Sequence, residues 1–99
     1  PQLKAYAHLQ AANIAFQNEL DDKALANYEL VIKELESKQY DEDEKGYLMQ
    51  AYKNAGYIYW GSKKDLTTAQ PYFEKLIKLD PNNSLAKKAL GLDEEQQAQ

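Results

Sequence analysis

A chain of 99 residues is long enough for one compact domain, and 43% hydrophobic with 28% charged residues is typical of a folded domain rather than a disordered segment. The net charge of -4 comes from 16 acidic and 12 scattered basic residues, which excludes the concentrated basic face of a nucleic-acid-binding domain. The absence of cysteine excludes disulfides, thiolate metal sites and thiol nucleophiles. No apolar run reaches the roughly 20 residues that span a bilayer.

The first two predicted elements are helices, because apolar residues recur at three- and four-residue spacing over about 3–17 and about 22–37. The earlier helix carries mostly small side chains on one face, which permits close contact with a neighbouring helix. We expect Asp21 to be the N-cap of the later helix, because its carboxylate can accept free amide hydrogens of the first turn. The apolar residues of that later helix follow steps of four, three and four: Ala24, Tyr28, Val31 and Leu35.

A third helix is predicted over about 43–60, where the apolar residues repeat the same steps, and Gly61-Ser62 is expected to end it. The acidic run 41–44 suits the start of this helix, because negative charge interacts favourably with the N-terminal end of the helix dipole. Lys45 stands where a calcium-binding loop needs an oxygen ligand, so the run does not predict a cation site. The apolar positions are Leu48, Tyr52, Ala55 and Tyr59.

A fourth helix is predicted over about 67–79. We favour a start within Thr67-Thr68 over capping by Asp65. The later start places Pro71 near the first turn, where an amide hydrogen is dispensable. Pro81 prevents the helix from continuing.

The elements form two predicted hairpins, because the connections within each pair of helices are short and such pairs fold back antiparallel. A fifth helix follows the second hairpin. The predicted organisation is a single domain of residues 1–99, with hairpin one at about 3–37, a linker at about 38–43, hairpin two at about 44–79 and a capping helix at about 84–96.

The two hairpins share an internal spacing. Corresponding residues of the second helices are 45 positions apart, and those of the first helices are 44 apart. Repeated hairpins stack because neither can bury its apolar stripe alone. The corresponding pairs are Ala24 with Ala69, Tyr28 with Phe73, and Ala12 with Gly56.

The second hairpin contains a spaced set of small and aromatic residues: Tyr52, Ala55, Gly56, Tyr59, Ala69, Phe73 and the ending Leu79-Asp80-Pro81-Asn82-Asn83. This set resembles a tetratricopeptide repeat. The resemblance implies an all-α fold, a fragment of a right-handed α-solenoid, in which the small pair lets the helices of a hairpin approach and the aromatic residues fill the space between hairpins. Leu90-Gly91 looks like the small pair of a further first helix.

The chain also departs from the family pattern. Its internal spacing exceeds the family period of about 34 residues, and the excess lies around 36–43. The first hairpin is degenerate, because Ala11-Ala12 replaces the small pair and no Asp-Pro ending follows Leu35.

The resemblance implies a protein-interaction module that binds a peptide or partner helix, without catalysis, metal or cofactor. In this family the groove is lined mainly by the first helix of each hairpin, where aromatic and amide side chains suit a polypeptide ligand. The only histidine, His8, lacks partners for a metal site or a catalytic triad. The candidate partner-binding residues are Tyr6, Leu9, Asn13, Phe16, Gln17, Gln50, Lys53, Asn54, Tyr57 and Trp60.

Two of these candidates, Asn13 and Asn54, match the asparagines with which chaperone-binding members of the family hold a C-terminal carboxylate. Such a clamp also needs cations, because the carboxylate must be neutralised as it leaves water. Leu9, Leu85 and Ala89 stand at the positions of those cations, so chaperone-tail binding is not favoured.

Other interpretations stay open at this point. The aromatic candidates could pack against an adjacent repeat, or a second copy could cover them in a homo-oligomer, which would make the chain a self-association or spacer segment. A third alternative is an accessory region of a glycan-handling or catalytic protein. In each case we expect protein partners, with no nucleic acid and no membrane insertion.

Overall fold

The protein, described here over residues 2–92 from a computed structural model, is helical throughout its regular elements. The helices are α1 (Gln2–Gln17), α2 (Asp21–Glu36), α3 (Glu42–Tyr57), α4 (Leu66–Leu79) and α5 (Ser84–Ala89). α1 packs on α2 and α3 packs on α4, which makes two hairpins. α2 packs on α3 and joins the hairpins, while α5 lies on α4. Residues 2–92 contain no strand, which confirms the all-α class.

One apolar core runs through both hairpins. Tyr28 and Phe73, the predicted equivalents, are both fully buried. Gly56 lies directly against the Phe73 ring, since a Cβ added to it would come 2.9 Å from Cζ. The expected close approach of α3 and α4 is therefore present. The largest fully buried side chains are Tyr28, Phe73, Leu35, Leu48, Ile58, Leu76 and Val31.

The acidic run ahead of α3 forms a capping box. The Asp41 carboxylate accepts a hydrogen bond from the Glu44 amide at 2.8 Å, and the Glu44 carboxylate accepts one from the Asp41 amide at 3.1 Å. Glu44 is buried and also accepts a hydrogen bond from the Lys38 ammonium at 2.8 Å. These bonds, that of Lys38 above all, hold the pKa of Glu44 below its ordinary value. The linker is thereby tied to the start of α3.

The prediction that Asp21 caps α2 is wrong. The helix begins at Asp21, and the N-cap position is held by Leu20, which makes no side-chain capping bond. Glu19 precedes it in the left-handed region at φ 60. The Leu20 amide then donates to the Ala15 carbonyl at 2.9 Å, as in a Schellman turn. Backbone hydrogen bonds, and not a capping carboxylate, therefore set where α2 begins.

The expected late start of α4 is also wrong, because Asp65 caps this helix and Leu66 begins it. The Asp65 carboxylate accepts hydrogen bonds from the Thr68 amide at 3.2 Å and from the Thr68 hydroxyl at 2.7 Å. Pro71 consequently lies inside the helix. Its missing amide bond is offset by the cap and by burial of the apolar stripe Ala69, Phe73 and Leu76.

α3 does not run regularly to Gly61-Ser62 as predicted, because it passes after Tyr57 into a π-helical turn at Ile58–Ser62. A π turn accommodates one extra residue within a helix. This residue accounts for the internal spacing of 44 before the turn and 45 after it. The left-handed residues that end the first helices, Glu19 and Lys64, are again 45 apart.

α5 is shorter than predicted and ends at Ala89. Gly91 follows in the left-handed region at φ 73. The amides of Gly91 and Leu92 donate to carbonyls of the last helical turn at 3.2 Å and 2.7 Å, which is a Schellman motif. The expectation that Leu90-Gly91 lies within a continuing helix is therefore wrong. The predicted extension over 93–96 lies outside the described residues.

Candidate functional site

Eight of the predicted site residues share one side of α1 and α3, which we call the inner face. Residues at three- and four-residue spacing lie on the same side of a helix, so each set forms a single strip. Hydrogen bonds and an aromatic contact join the two strips into one surface. The inner face consists of Tyr6, Asn13, Phe16 and Gln17 of α1 and Gln50, Lys53, Asn54 and Tyr57 of α3.

A polar network holds the centre of the inner face together. The Tyr28 hydroxyl donates to Asn13 Oδ1 at 2.5 Å, and Asn54 Nδ2 donates to the Tyr28 hydroxyl at 2.8 Å. Asn54 Nδ2 also approaches Asn13 Oδ1 at 3.4 Å, and Asn13 Nδ2 approaches Gln50 Oε1 at 3.5 Å. α1, α2 and α3 thus contribute to one connected group of amides around a buried phenol.

The hydrogen-bond directions in this network follow from the state of Tyr28. Burial raises the pKa of its hydroxyl, while the hydrogen bond from Asn54 acts in the opposite direction. The hydroxyl therefore stays protonated at neutral pH and continues to donate to Asn13. The Asn54 carbonyl oxygen and one Nδ2 hydrogen of Asn13 make no hydrogen bond within residues 2–92. Both groups are free to bond a polypeptide backbone, which offers amide hydrogens and carbonyls.

Aromatic rings border this network. Phe16 meets the Tyr57 ring edge-on, with centroids 6.1 Å apart, and meets the Tyr28 ring at 6.4 Å. Tyr57 remains 42% exposed although its ring is in contact with Phe16. Tyr6, which is 43% exposed, packs against Tyr47 with centroids 5.6 Å apart. The inner face therefore presents two supported tyrosines, which lose little entropy when a ligand contacts them.

Two predicted site residues do not belong to the inner face. Leu9 is 2% exposed and lies in the apolar core, so it has no surface to offer a ligand. Trp60 lies within the π turn, where the extra residue rotates the helical register by about 100°. Its ring meets the buried Phe73 ring edge-on at 5.9 Å and is half-buried there. Trp60 is a packing residue of the second hairpin.

Two contributors to the inner face, Tyr28 and Tyr47, are missed by reasoning from the sequence. Packing alone explains the spacing of Tyr28, but a buried tyrosine also needs a hydrogen-bond partner for its hydroxyl. The available signal is the internal comparison, because the equivalent residue Phe73 has no hydroxyl. Tyr47 has no comparable signal, since its contact with Tyr6 depends on how α1 and α3 lie side by side.

Part of the chain matches the model of a protein family. The model of the tetratricopeptide repeat matches residues 49–83, which span the later part of α3, the π turn, α4 and the N-cap of α5. Residues 49–83 are therefore similar to a tetratricopeptide repeat. Comparisons with curated proteins and with solved structures gave no match.

The tetratricopeptide repeat is a general protein-interaction motif and is typically a non-catalytic scaffold, so protein partners are the expected ligands. Within residues 2–92, no helix combines the length and the apolar character needed to cross a bilayer. The same part of the chain contains no cluster of three histidine, aspartate, glutamate or cysteine side chains placed to hold a metal ion.

The matched repeat begins at Met49, whereas α3 begins at Glu42. Residues 42–48 of α3 are therefore a helical segment ahead of the matched region. Glu44 and Leu48, both buried, hold this segment in place.

The inner face of the repeat region lacks the cations of a carboxylate clamp. Asn13 and Asn54 are close together, but Leu9 and Ala89 are buried and Leu85 is half-buried where basic residues would be needed. Lys53 is the one charged member of the inner face, and it is exposed. The inner face is therefore close to neutral.

A groove of about 650 Å³ lies between α2 and α4, the second helices of the two hairpins. Its carboxylates already have partners, because Glu29 accepts a hydrogen bond from the Tyr72 hydroxyl and Glu36 accepts one from Lys75 at 3.2 Å. Burial and the Glu29 carboxylate both raise the pKa of Tyr72, so its hydroxyl stays a donor. These hydrogen bonds connect α2 to α4 across the groove and so hold the two hairpins together.

Proposed function

We propose that the protein is a protein-interaction module whose inner face binds a peptide or a helix of a partner polypeptide. The observation that carries this proposal is the amide network of Asn13, Tyr28, Asn54 and Gln50 beside the exposed ring of Tyr57. The tetratricopeptide repeat in residues 49–83 supports the general role.

The chemistry of the inner face suits a largely uncharged ligand. The amides can bond a peptide backbone in either direction, since each carries both donors and an acceptor. Tyr57 and Tyr6 supply rigid contact area, and the network beneath them keeps the surface ordered before binding, which lowers the entropic cost of association. Lys53 at the edge would pair with an acidic residue of the ligand and affect mainly the association rate.

A peptide-display selection tests the proposal, because random peptides sample many possible ligands of the inner face. The protein is exposed to a library of random displayed peptides, and one selected peptide is synthesised and titrated by calorimetry. Tyr57→Ala should weaken this peptide at least about tenfold, which is about 1.4 kcal/mol. The matched control is Tyr40→Ala, because Tyr40 is 38% exposed but lies in the linker away from the inner face. Its affinity should stay within about twofold of wild type.

The opposite pattern would contradict the proposal. If Tyr40→Ala weakens the peptide and Tyr57→Ala does not, the ligand binds near the linker. Light scattering provides a second check, since a stable dimer that buries Tyr57 would make the inner face a self-association surface.

A further inference from the structure

A second surface lies on α1, rotated by about 100° from the inner face. We call it the outer stripe, and it consists of Ala7, Ala11 and Ile14 at the spacing of one helical face. All three side chains are exposed, and Ile14 at 60% is the most exposed large hydrophobic residue among residues 2–92 whose burial is described. Exposed alanines alone do not indicate a binding surface, but the internal repeat allows the exposure of these residues to be compared with that of their equivalents in the second hairpin.

The same three residue types recur 44 positions on, at two residues of α3 and at the first residue of the π turn that continues it. Ala7 corresponds to Ala51, Ala11 to Ala55 and Ile14 to Ile58. Ala51, Ala55 and Ile58 form the α3 stripe, and each of the three is fully buried, with 0% exposure. One stripe is therefore covered in the second hairpin and uncovered in the first.

The helix that covers the α3 stripe is α2. Tyr52, on one side of the stripe, donates a hydrogen bond to Glu36 of α2. Asn54, on the other side, donates to the Tyr28 hydroxyl of α2 at 2.8 Å. Ala51, Ala55 and Ile58 lie between these two residues on the helical wheel, so they face α2.

The charge distribution of α1 supports a covered surface. Lys4 is the only lysine, arginine, aspartate or glutamate in the 16 residues of α1, whereas 28% of the whole chain is charged. An exposed helix normally carries charges on its solvent side. Depletion of charge beside an exposed isoleucine is instead typical of the centre of a protein interface.

We propose that the outer stripe of α1 binds an amphipathic helix of α2 type from a partner polypeptide. The stripe is small, so it fits a helix with bulky apolar residues, as α3 fits α2. The partner helix would carry such residues at steps of three and four, with polar residues on its remaining faces. The corresponding buried residues of α2 are Ala24, Leu25, Tyr28, Val31, Ile32 and Leu35.

The chain itself has no free helix of this kind among its described residues. α2 is already packed between α1 and α3. At the positions equivalent to the apolar Leu25 and Leu35 of α2, α4 has Gln70 and its C-cap is Asp80. Residues 93–99 contain one apolar residue, Ala98. Two α1 stripes facing each other would pair alanine with alanine. A partner helix therefore fits the stripe better than a second copy does.

A helical peptide of residues 20–37, the α2 sequence, is the probe. A lactam between Glu29 and Lys33, which are exposed and four residues apart, keeps it helical. On titration into the full chain, NMR signals of Ile14 and its α1 neighbours should shift. Ile14→Lys should weaken the peptide at least about tenfold. Leu66→Lys is the matched control, because Leu66 is an exposed leucine, 43% exposed, on the second hairpin.

A second variant on the outer stripe distinguishes loss of binding from loss of folding. Ala11→Gln, a second exposed change on the stripe, should also weaken binding, and circular dichroism should show both variants folded. The proposal is overturned if millimolar peptide shifts no α1 signal, if Ile14→Lys binds equally well, or if the shifts fall on the inner face alone. A dimer seen by light scattering and abolished by Ile14→Lys would make a second copy the occupant. Because this test does not involve the inner face, its failure leaves the proposed function standing.

Discussion

Replacing each of two glycines of α3 with alanine should change the stability of the protein in opposite directions. Gly46 and Gly56 both lie inside the helix, where glycine is less favourable than alanine by about 0.5–1 kcal/mol. A Cβ at Gly46 would meet nothing within 4 Å. A Cβ at Gly56 would lie 2.9 to 3.1 Å from three atoms of the buried Phe73 ring, which is too close for unstrained contact.

Gly46→Ala should therefore raise the free energy of unfolding by about 0.5–1 kcal/mol. Gly56→Ala receives the same helical gain but adds an overpacking cost of about 1–3 kcal/mol, so it should lower the free energy of unfolding. Denaturant unfolding followed by circular dichroism measures both variants. Phe73→Leu combined with Gly56→Ala should cost less than the sum of the two changes, because the ring that causes the clash is gone. Equal stabilisation by both alanines would refute the close approach of α3 and α4.

Three further changes test the caps and the polar network. Leu20→Asp should raise stability by about 1 kcal/mol in denaturant unfolding, because its turn matches the one in which Asp65 caps α4; an unchanged midpoint would contradict this interpretation of the turn. Tyr28→Phe should cost about 1 kcal/mol in the same assay, because Asn13 and Asn54 lose the hydroxyl between them, and no loss would mean that the network is not formed. The pKa of Glu44 is lowered, chiefly by the hydrogen bond from Lys38, so Glu44 stabilises the fold above the unfolded pKa near 4.5 and this stabilisation is lost as pH falls through the lower folded pKa. Glu44→Gln should therefore reduce the pH dependence of the free energy of unfolding over this window. An unchanged pH dependence would show that another carboxyl group causes acid unfolding.

The inner face shows which parts of a site can be predicted from sequence. Helical spacing placed Asn13, Asn54 and Tyr57 on matching sides of α1 and α3, because side-chain direction along a regular helix follows residue number. Leu9 follows the same spacing but is buried, since the neighbouring helix covers it. Trp60 was misplaced because the π turn interrupts the regular register.

The helices, their pairing into hairpins and the repeat of small and aromatic residues can be predicted from sequence, because they depend on periodicity and on short connections. Four local features depend instead on packing between helices: the N-caps of α2 and α4 at Leu20 and Asp65, the extra residue of the π turn, and the end of α5 at Ala89. At each of these places several local hydrogen-bond arrangements have similar free energies, and packing against the other helices selects one of them. Packing also left one stripe of α1 uncovered while burying its equivalent in α3, because α2 lies against only one of the two.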